Sequence, residues 1–331
     1  MFSSVPFSSS LAAPSNRRGL GGVIVVATLA CVVVGGLLAY QLATPRSVSG
    51  STNSIAVAEP ASMKSGEVRI ATLLPFAADQ LLQMGVRPVC IPGLRGRAPE
   101  AWQGIPTVQL DHSAGPNLEQ LIAVDPDYIV TGSVYAQFMP HIESVTGATV
   151  LLMDVDSIDS VTEHIGTLGE ISGRQEQSEA IVASLQQRLE APLQASSDQQ
   201  QVDVLAVFGT PHSFYAFLPD SYLGDLVRHA GGRMGPSGLT SHKIYRGLAP
   251  LSMETVLAFD PDLLLVLFHG PEESSRAMFE GDPLWASLSA VHEGRMHFLA
   301  DDLYAMRPGS QLDLAMAQVR GFVQGVSEPR E

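Results

Sequence analysis

The stretches NLEQLIAVDPDYIV, residues 117–130, and SMETVLAFDPDLLLV, residues 252–266, have the same pattern in one chain. Each begins with a residue that caps helices well, Asn117 or Ser252, because a short side-chain oxygen can accept an unpaired N–H of the first helical turn. An apolar stripe at helical spacing follows, then a proline that ends the helix, then a short apolar run typical of a buried parallel strand. Two copies in the same register predict two similar α/β lobes.

The helix of each copy carries a glutamate in its first turn, Glu119 or Glu254, where a carboxylate interacts favourably with the positive end of the helix dipole. Three apolar side chains form the helical stripe of each copy. They are Leu118, Leu121 and Ile122 in the first copy and Met253, Val256 and Leu257 in the second. This spacing is typical of a helix that packs one face on a core.

Strand and helix patterns alternate on both sides of the two copies. They indicate an α/β fold of two similar lobes with central parallel-type sheets, joined by one long helix and preceded by a transmembrane anchor. A break or kink in the helical stretch is expected near residues 169–173. The predicted segments are a cytoplasmic tail at 1–19, a transmembrane anchor or signal segment at 20–42, a flexible stalk at 43–65, an N-terminal α/β lobe at 66–160, the linking helix at 161–198 and a C-terminal α/β lobe at 199–327.

Charge and cysteine content narrow the class of protein. The chain has 331 residues and a formal net charge of -15, without a basic stripe, so nucleic acid is not an expected partner. It has two cysteines, and Cys31 lies in the N-terminal apolar run, so no disulfide is expected in the main body. Cys90 is expected to be a small buried hydrophobic residue.

The N-terminal region predicts a membrane anchor. Residues 20–42 carry no charge, and at about 1.5 Å per residue they are long enough to span the ~30 Å hydrocarbon layer. Arg17 and Arg18 precede this run and place the N-terminus in the cytoplasm. The body is therefore expected to be extracytoplasmic (periplasmic) and tethered to the cytoplasmic membrane.

A lipoprotein or cleaved signal is the alternative, because the residues before Cys31 loosely resemble a lipobox. Leu29 and Thr28 stand in the reverse of the usual order, however, and the apolar run continues well past Cys31. An uncleaved anchor is therefore favoured over a lipid anchor.

Four blocks of the main body carry a resemblance to a known family. The blocks are VRIATLLPFAADQLLQMGVRPV, PNLEQLIAVDPDYIV, LSMETVLAFDPDLLLV and DPLWASLSAVHEGRMHFL. In this order and spacing they resemble the helical-backbone substrate-binding proteins of ABC importers, which take up ferric siderophores, haem and cobalamin. The resemblance covers about residues 67–325. It implies two lobes bridged by one long helix, little closure on binding, and delivery of a ligand to a membrane permease.

The same resemblance implies roles for particular residues. Glu119 and Glu254 match the positions at which the family docks to arginines of the permease. The positions that match the family's ligand-contacting loops are Tyr135, Tyr245, Arg246, Tyr304 and Arg307. The family's hydroxamate binders carry an arginine where this chain has Ser113, so Arg95 and Arg97 in the preceding loop are candidate substitutes.

A ferric siderophore is the ligand that this resemblance favours, since guanidinium groups suit chelate oxygens and aromatic faces cover the organic shell. Haem and cobalamin are alternatives within the same transport class. No resident cofactor or metal site is expected, and the chain is expected to be a monomer in solution.

The alternative of another class is an enzyme or sensor built on the same scaffold. HEGRMH, residues 292–297, is similar to a zinc-protease motif but has one residue too many, and its glycine prevents the histidines from sharing a helix face. His242 and His269 are further isolated histidines that could line a cleft. No phosphate-binding glycine motif or nucleophile elbow is present in the sequence. The chain is therefore expected not to be an enzyme.

Overall fold

The structure is a computed structural model that describes residues 67–94, 98–111, 113–189, 201–243, 245–268 and 272–327. The predicted tail, anchor and stalk over 1–65 lie outside these ranges, as do Arg95, Arg97 and His269. Among the described residues, no helix is both long enough and apolar enough to span a bilayer. All of them belong to one unit that begins at Ser65.

Residues 67–152 are called the N-lobe. Its strands are β1 (Ile70–Thr72), β2 (Ile91–Pro92), β3 (Thr107–Val108), β4 (Leu110–Asp111), β5 (Gly115–Pro116), β6 (Tyr128–Thr131) and β7 (Thr149–Leu152). Its α-helices are α1 (Pro75–Gln83), α2 (Leu118–Ala123) and α3 (Met139–Thr146). Strands β1, β6 and β7 form a parallel sheet, and a parallel bridge from Ala71 to Cys90 brings the β2–β3 pair beside it.

Two helices follow the N-lobe, α4 (Ile158–Ser172) and α5 (Gln175–Leu189). The expectation of one long linking helix over 161–198 is therefore corrected. Gly173 has a φ of 66° and caps the end of α4, a conformation that glycine adopts at little cost. The two helices then approach closely, since a Cβ on Gly169 would lie 2.1 Å from Oγ of Ser178. The break lies where the glycines at 169–173 predicted one.

Residues 202–327 are called the C-lobe. Its strands are β8 (Val202–Thr210), β9 (Ser213–Phe217), β10 (Gly232–Met234), β11 (Leu248–Pro250), β12 (Leu263–Leu267) and β13 (Met296–Leu299). Its α-helices are α6 (Tyr222–His229), α7 (Met253–Phe259), α8 (Glu272–Gly281), α9 (Pro283–Ala286), α10 (Ser289–His292) and α11 (Leu312–Ser327). The sheet has the order β11-β9-β8-β12-β13, with β10 also paired to β8. Strands β10, β8, β12 and β13 are parallel, which confirms the α/β class with parallel sheets.

The two sequence copies adopt the same local structure. The side chain of Asn117 accepts a hydrogen bond from the N–H of Gln120 at 3.1 Å, and that of Ser252 accepts one from the N–H of Thr255 at 3.2 Å. Both predicted N-caps are thus confirmed. Each caps the helix that leads into the turn and the buried strand.

The Asp-Pro-Asp turns also match. Asp125 and Asp260 have φ values of 39° and 40° and are the two non-glycine residues with positive φ in the described part of the chain. Two residues later, Oδ2 of Asp127 accepts the N–H of Arg69, and Oδ2 of Asp262 accepts the N–H of Asp203, each at 2.9 Å. In each lobe, an equivalent carboxylate therefore links the repeat to the beginning of the first strand, at Arg69 just before β1 and at Asp203 in β8.

One residue of the apolar stripe in each copy is exposed, although the helical spacing predicts that it is buried. Leu121 and Val256 are fully buried, whereas the side chains that follow them, Ile122 and Leu257, are 49% and 37% exposed. These short helices bury a narrower face than the stripe suggested, and the departure occurs at the same position in both copies.

Candidate functional site

Arg307 joins the two lobes. Its Nη1 lies 3.0 Å from Oδ2 of Asp79 in helix α1, and its Nε donates to Oδ1 of Asp302 at 2.7 Å. Hydrogen bonding to Asp302 and the nearby Asp79 carboxylate raise the pKa of Arg307, although burial opposes this. The other oxygen of Asp79 accepts Nε1–H of Trp102 at 2.8 Å, so its carboxylate is held from both sides.

A cavity of about 340 Å³ lies beside this ion pair. Both lobes line it, with Asp79, Leu82, Gln83 and Ala101 on one side and Arg307, Ser310 and Gln311 on the other. Its volume is at the lower end of the range of small-molecule sites. Of the predicted ligand residues, Arg307 lines this cavity. Asp79 was not singled out from the sequence, because an acidic residue in an amphipathic helix gives no sign of a distant partner.

Tyr304 lies in the interior of the C-lobe. It is 3% exposed, and its hydroxyl lies 3.2 Å from the carbonyl oxygen of Ala315 and 3.1 Å from Oε1 of Gln318 in helix α11. Burial raises the pKa of this hydroxyl. In this conformation the ring packs in the core and the hydroxyl is engaged within its own lobe.

Tyr135 is also buried, at 3% exposure, in a short 3-10 helix, Ser133–Phe138, that follows β6. Its ring lies 6.4 Å from that of Phe138, centroid to centroid, and at a tilt of 44°. Burial raises the pKa of Tyr135, and the negative charge of Asp111 adds to the effect. Asp111 also organises the neighbouring loop, since its Oδ1 accepts Oγ–H of Ser113 at 2.6 Å.

Tyr245 and Arg246 are both exposed, in the loop between β10 and β11. The ring of Tyr245 stacks on that of His242, with centroids 5.1 Å apart and an interplanar angle of 22°. Nδ1 of His242 accepts the N–H of Tyr245 at 3.2 Å. Tyr215 of strand β9 meets the same imidazole edge-on, at 5.8 Å and 81°. These three residues are called the ring cluster.

The structure thus places the predicted ligand residues in different surroundings. Arg307 lines the cavity between the lobes, Tyr135 and Tyr304 are buried, and Tyr245 with Arg246 lies on an exposed C-lobe loop. Contact with a ligand stays a prediction for each of them. The ring cluster adds Tyr215, which the sequence did not point to because the strand and the loop are separate in the chain.

Glu119 and Glu254 occupy matching exposed positions in the first turns of α2 and α7. Neither carboxylate has an ion-pair partner among the described residues. An exposed carboxylate without an internal partner is available to a partner molecule. Docking through these glutamates stays a prediction.

The histidines of HEGRMH lie in different elements. His292 ends helix α10, Gly294 makes a turn with a φ of 68°, and His297 lies in strand β13, where its ring stacks on Phe322. Within the described ranges, no group of three or more histidine, cysteine, aspartate or glutamate side chains is arranged to hold a metal ion.

Comparison with known proteins identifies the family. A family model described as Periplasmic binding protein matches residues 94–303. The chain belongs to this family. The resemblance to substrate-binding proteins of ABC importers, which the four sequence blocks carried, is thereby confirmed.

Relatives within the family are distant but extend over most of the chain. The curated High-affinity heme uptake system protein IsdE of Staphylococcus aureus is 24% identical over 265 residues, which cover 78% of this chain and 88% of that protein.

Two solved structures show the same fold. An ABC transporter substrate-binding protein from Listeria monocytogenes is 20% identical with a TM-score of 0.68, and the match covers 78% of this chain and 100% of that one. The siderophore binding protein BauB, bound to a complex of two acinetobactin molecules and ferric iron, is 22% identical with a TM-score of 0.58, covering 77% and 93%.

Proposed function

We propose that this chain is the extracytoplasmic solute-binding component of an ABC importer that takes up iron in chelated form. Family membership supports the class of protein, and the relatives that bind haem or a ferric siderophore support the class of ligand. The predicted anchor at 20–42 would tether it to the membrane. The ligand would lie between the lobes, against loops that follow the strands of both sheets.

Haem is the first candidate ligand, and the ring cluster is the observation that carries it. Tyr245 and His242 form a stacked pair, and Tyr245 is 43% exposed. A flat conjugated ligand can extend such a stack. Arg246 follows in the chain and is also exposed, so its guanidinium is available to a ligand carboxylate. Haem combines a flat ring with two carboxylates.

A ferric siderophore is the second candidate. Its aromatic or hydroxamate groups present oxygens to guanidinium, and Arg246 and Arg307 are the described arginines that the family resemblance assigns to ligand loops. Arg307 lines the cavity between the lobes. Tyr304 stays a predicted contact, although its hydroxyl is bonded within the C-lobe in this conformation.

The ligand proposal is tested by equilibrium titration with haem, cobalamin and a panel of ferric siderophores. Arg246→Gln should weaken binding of the preferred chelate by ten- to a hundredfold, or about 1.5–3 kcal/mol. Lys243→Gln is the matched control, since it removes one positive charge from the same loop. Equal losses in both variants would show a general charge effect and contradict a specific contact by Arg246.

The permease is the proposed partner, and Glu119 and Glu254 are the proposed docking residues. A variant with both Glu119→Gln and Glu254→Gln should bind the chelate normally and lose uptake in cells. Exposed charges at an interface act mainly on encounter and orientation. Uptake at the wild-type rate by the folded double variant would contradict the docking role.

A further inference from the structure

Two aliphatic side chains are exposed at the same position of the repeat. Ile122 in α2 is 49% exposed and Leu257 in α7 is 37% exposed, whereas the residues directly before them, Leu121 and Val256, are fully buried. Isolated exposed aliphatic residues are common on protein surfaces. Their occurrence at the same position of both lobes requires an explanation that applies to both.

Each aliphatic side chain lies beside one of the exposed glutamates. Glu119 precedes Ile122 by three residues on α2, and Glu254 precedes Leu257 by three residues on α7. Residues three apart are neighbours on a helix surface. Each lobe therefore presents a carboxylate and an aliphatic group side by side, both open to solvent.

We propose that each glutamate and its aliphatic neighbour form one docking point, and that the permease binds both docking points through two copies of one surface. The docking points are Glu119 with Ile122 and Glu254 with Leu257. The expected partner surface has a basic side chain beside an apolar recess. This proposal rests on the proposed function and adds to it the apolar half of the contact.

Charge favours the permease over other occupants. A second copy of this chain would place glutamate against glutamate, and the chain already has a net charge of -15. An anionic membrane surface would be repelled for the same reason. A partner with a basic residue in each of two equivalent subunits satisfies both carboxylates, and its symmetry accounts for the repetition of the aliphatic side chain.

The two halves of a docking point should act on different rate constants. Exposed charges speed up encounter and make it depend on salt. An aliphatic side chain that enters a recess removes apolar surface from water and slows dissociation. The glutamates would then determine the association rate, while Ile122 and Leu257 would determine how long the complex lasts.

The test measures binding kinetics of the full chain on the ABC permease whose deletion abolishes uptake of the chelate, reconstituted in lipid nanodiscs. Ile122→Ser and Leu257→Ser should each raise the dissociation rate about tenfold. Together they should raise it about a hundredfold, because distant sites act independently. Glu119→Gln with Glu254→Gln should instead lower the association rate and its salt dependence.

Leu314→Ser is the control, since Leu314 is 45% exposed in α11 and lies outside the repeat. Thermal unfolding checks that all variants fold, and Ile122→Val, which keeps an aliphatic group, should bind nearly as well as the wild type. Serine variants that dissociate at the rate of the control, or an effect at only one position, overturn the docking points. Absence of permease binding by the wild-type chain overturns the proposed function with them. Normal chelate binding and glutamate-dependent docking, without an aliphatic effect, overturn this inference alone.

Discussion

Nη1 of Arg307 lies 3.0 Å from Oδ2 of Asp79, and this ion pair joins the C-lobe to helix α1 of the N-lobe. Both side chains are 13% exposed, so neither is well hydrated in the folded protein. An ion pair that is largely removed from water is costly to break from one side, because the remaining charge keeps its low exposure without a partner. The pair therefore holds the two lobes in one arrangement next to the cavity that both of them line.

Arg307→Ala should lower the free energy of unfolding by about 2–4 kcal/mol, because it leaves the Asp79 carboxylate with Trp102 as its remaining side-chain partner. Urea denaturation measures the change. Asp302→Asn is the control, since Asp302 contacts the same guanidinium with a side chain that is 55% exposed. It should cost less than about 1 kcal/mol. If Arg307→Ala and Asp302→Asn lost the same free energy of unfolding, the ion pair between the lobes would add nothing to stability.

Gly169→Ala should destabilise the pair of helices α4 and α5 by about 1–3 kcal/mol, because the new methyl group would lie 2.1 Å from Oγ of Ser178. Gly166→Ala, in the same helix, meets no atom within 4 Å and should stabilise the protein by about 0.5–1 kcal/mol. The unfolding temperature should therefore fall in Gly169→Ala and rise in Gly166→Ala, relative to the wild type. A shift of the same sign for both would contradict the close approach at Gly169.

Removal of either carboxylate that ends an Asp-Pro-Asp turn should destabilise the protein by a similar amount. Asp127→Ala and Asp262→Ala each remove the acceptor of one backbone N–H at the beginning of a strand, and each should lower the free energy of unfolding by about 1–2 kcal/mol. The corresponding asparagine variants should cost less, because an amide oxygen can still accept. Chemical denaturation gives all four values. A cost at one turn and none at the other would contradict the structural equivalence of the repeats.

Cys90 should be unreactive in the native protein. It is 2% exposed, and burial raises the pKa of its thiol to about 11, so very little thiolate forms at pH 8. Mass spectrometry of the Cys90 peptide after treatment with iodoacetamide should show little labelling before unfolding and full labelling in denaturant. Rapid labelling of the native protein would contradict this burial.

Local patterns predicted the elements that local interactions stabilise. The caps at Asn117 and Ser252, the turn before each buried strand and the burial of Cys90 depend on nearby residues or on average hydropathy, so the sequence shows them directly. The glycines at 169–173 marked a break, but their spacing does not show whether a helix bends or reverses. The path of the chain after the break depends on the close packing of Gly169 against Ser178, which the spacing of the glycines does not show.

The candidate site was harder to predict, because its contacts join distant parts of the chain. Asp79 contacts Arg307 across the two lobes, and Tyr304 points inward to Gln318 although the short helical segment that holds it follows a strand end. Ile122 completes an apolar stripe in the sequence and is nevertheless exposed. Hydrophobic spacing shows which side chains favour burial, whereas the shape of the neighbouring elements determines which of them find a partner.

The central claim is that this chain binds chelated iron, and titration of the purified protein followed by absorbance spectroscopy tests it most directly. We expect a saturable spectral change with haem, seen as a shifted Soret band, or with a ferric siderophore, seen in its visible charge-transfer band. Binding should saturate at a fixed stoichiometry and weaken in the Tyr245→Ala variant. Absence of saturable binding for haem and for every ferric siderophore tested, or saturation by cobalamin alone, would contradict the account.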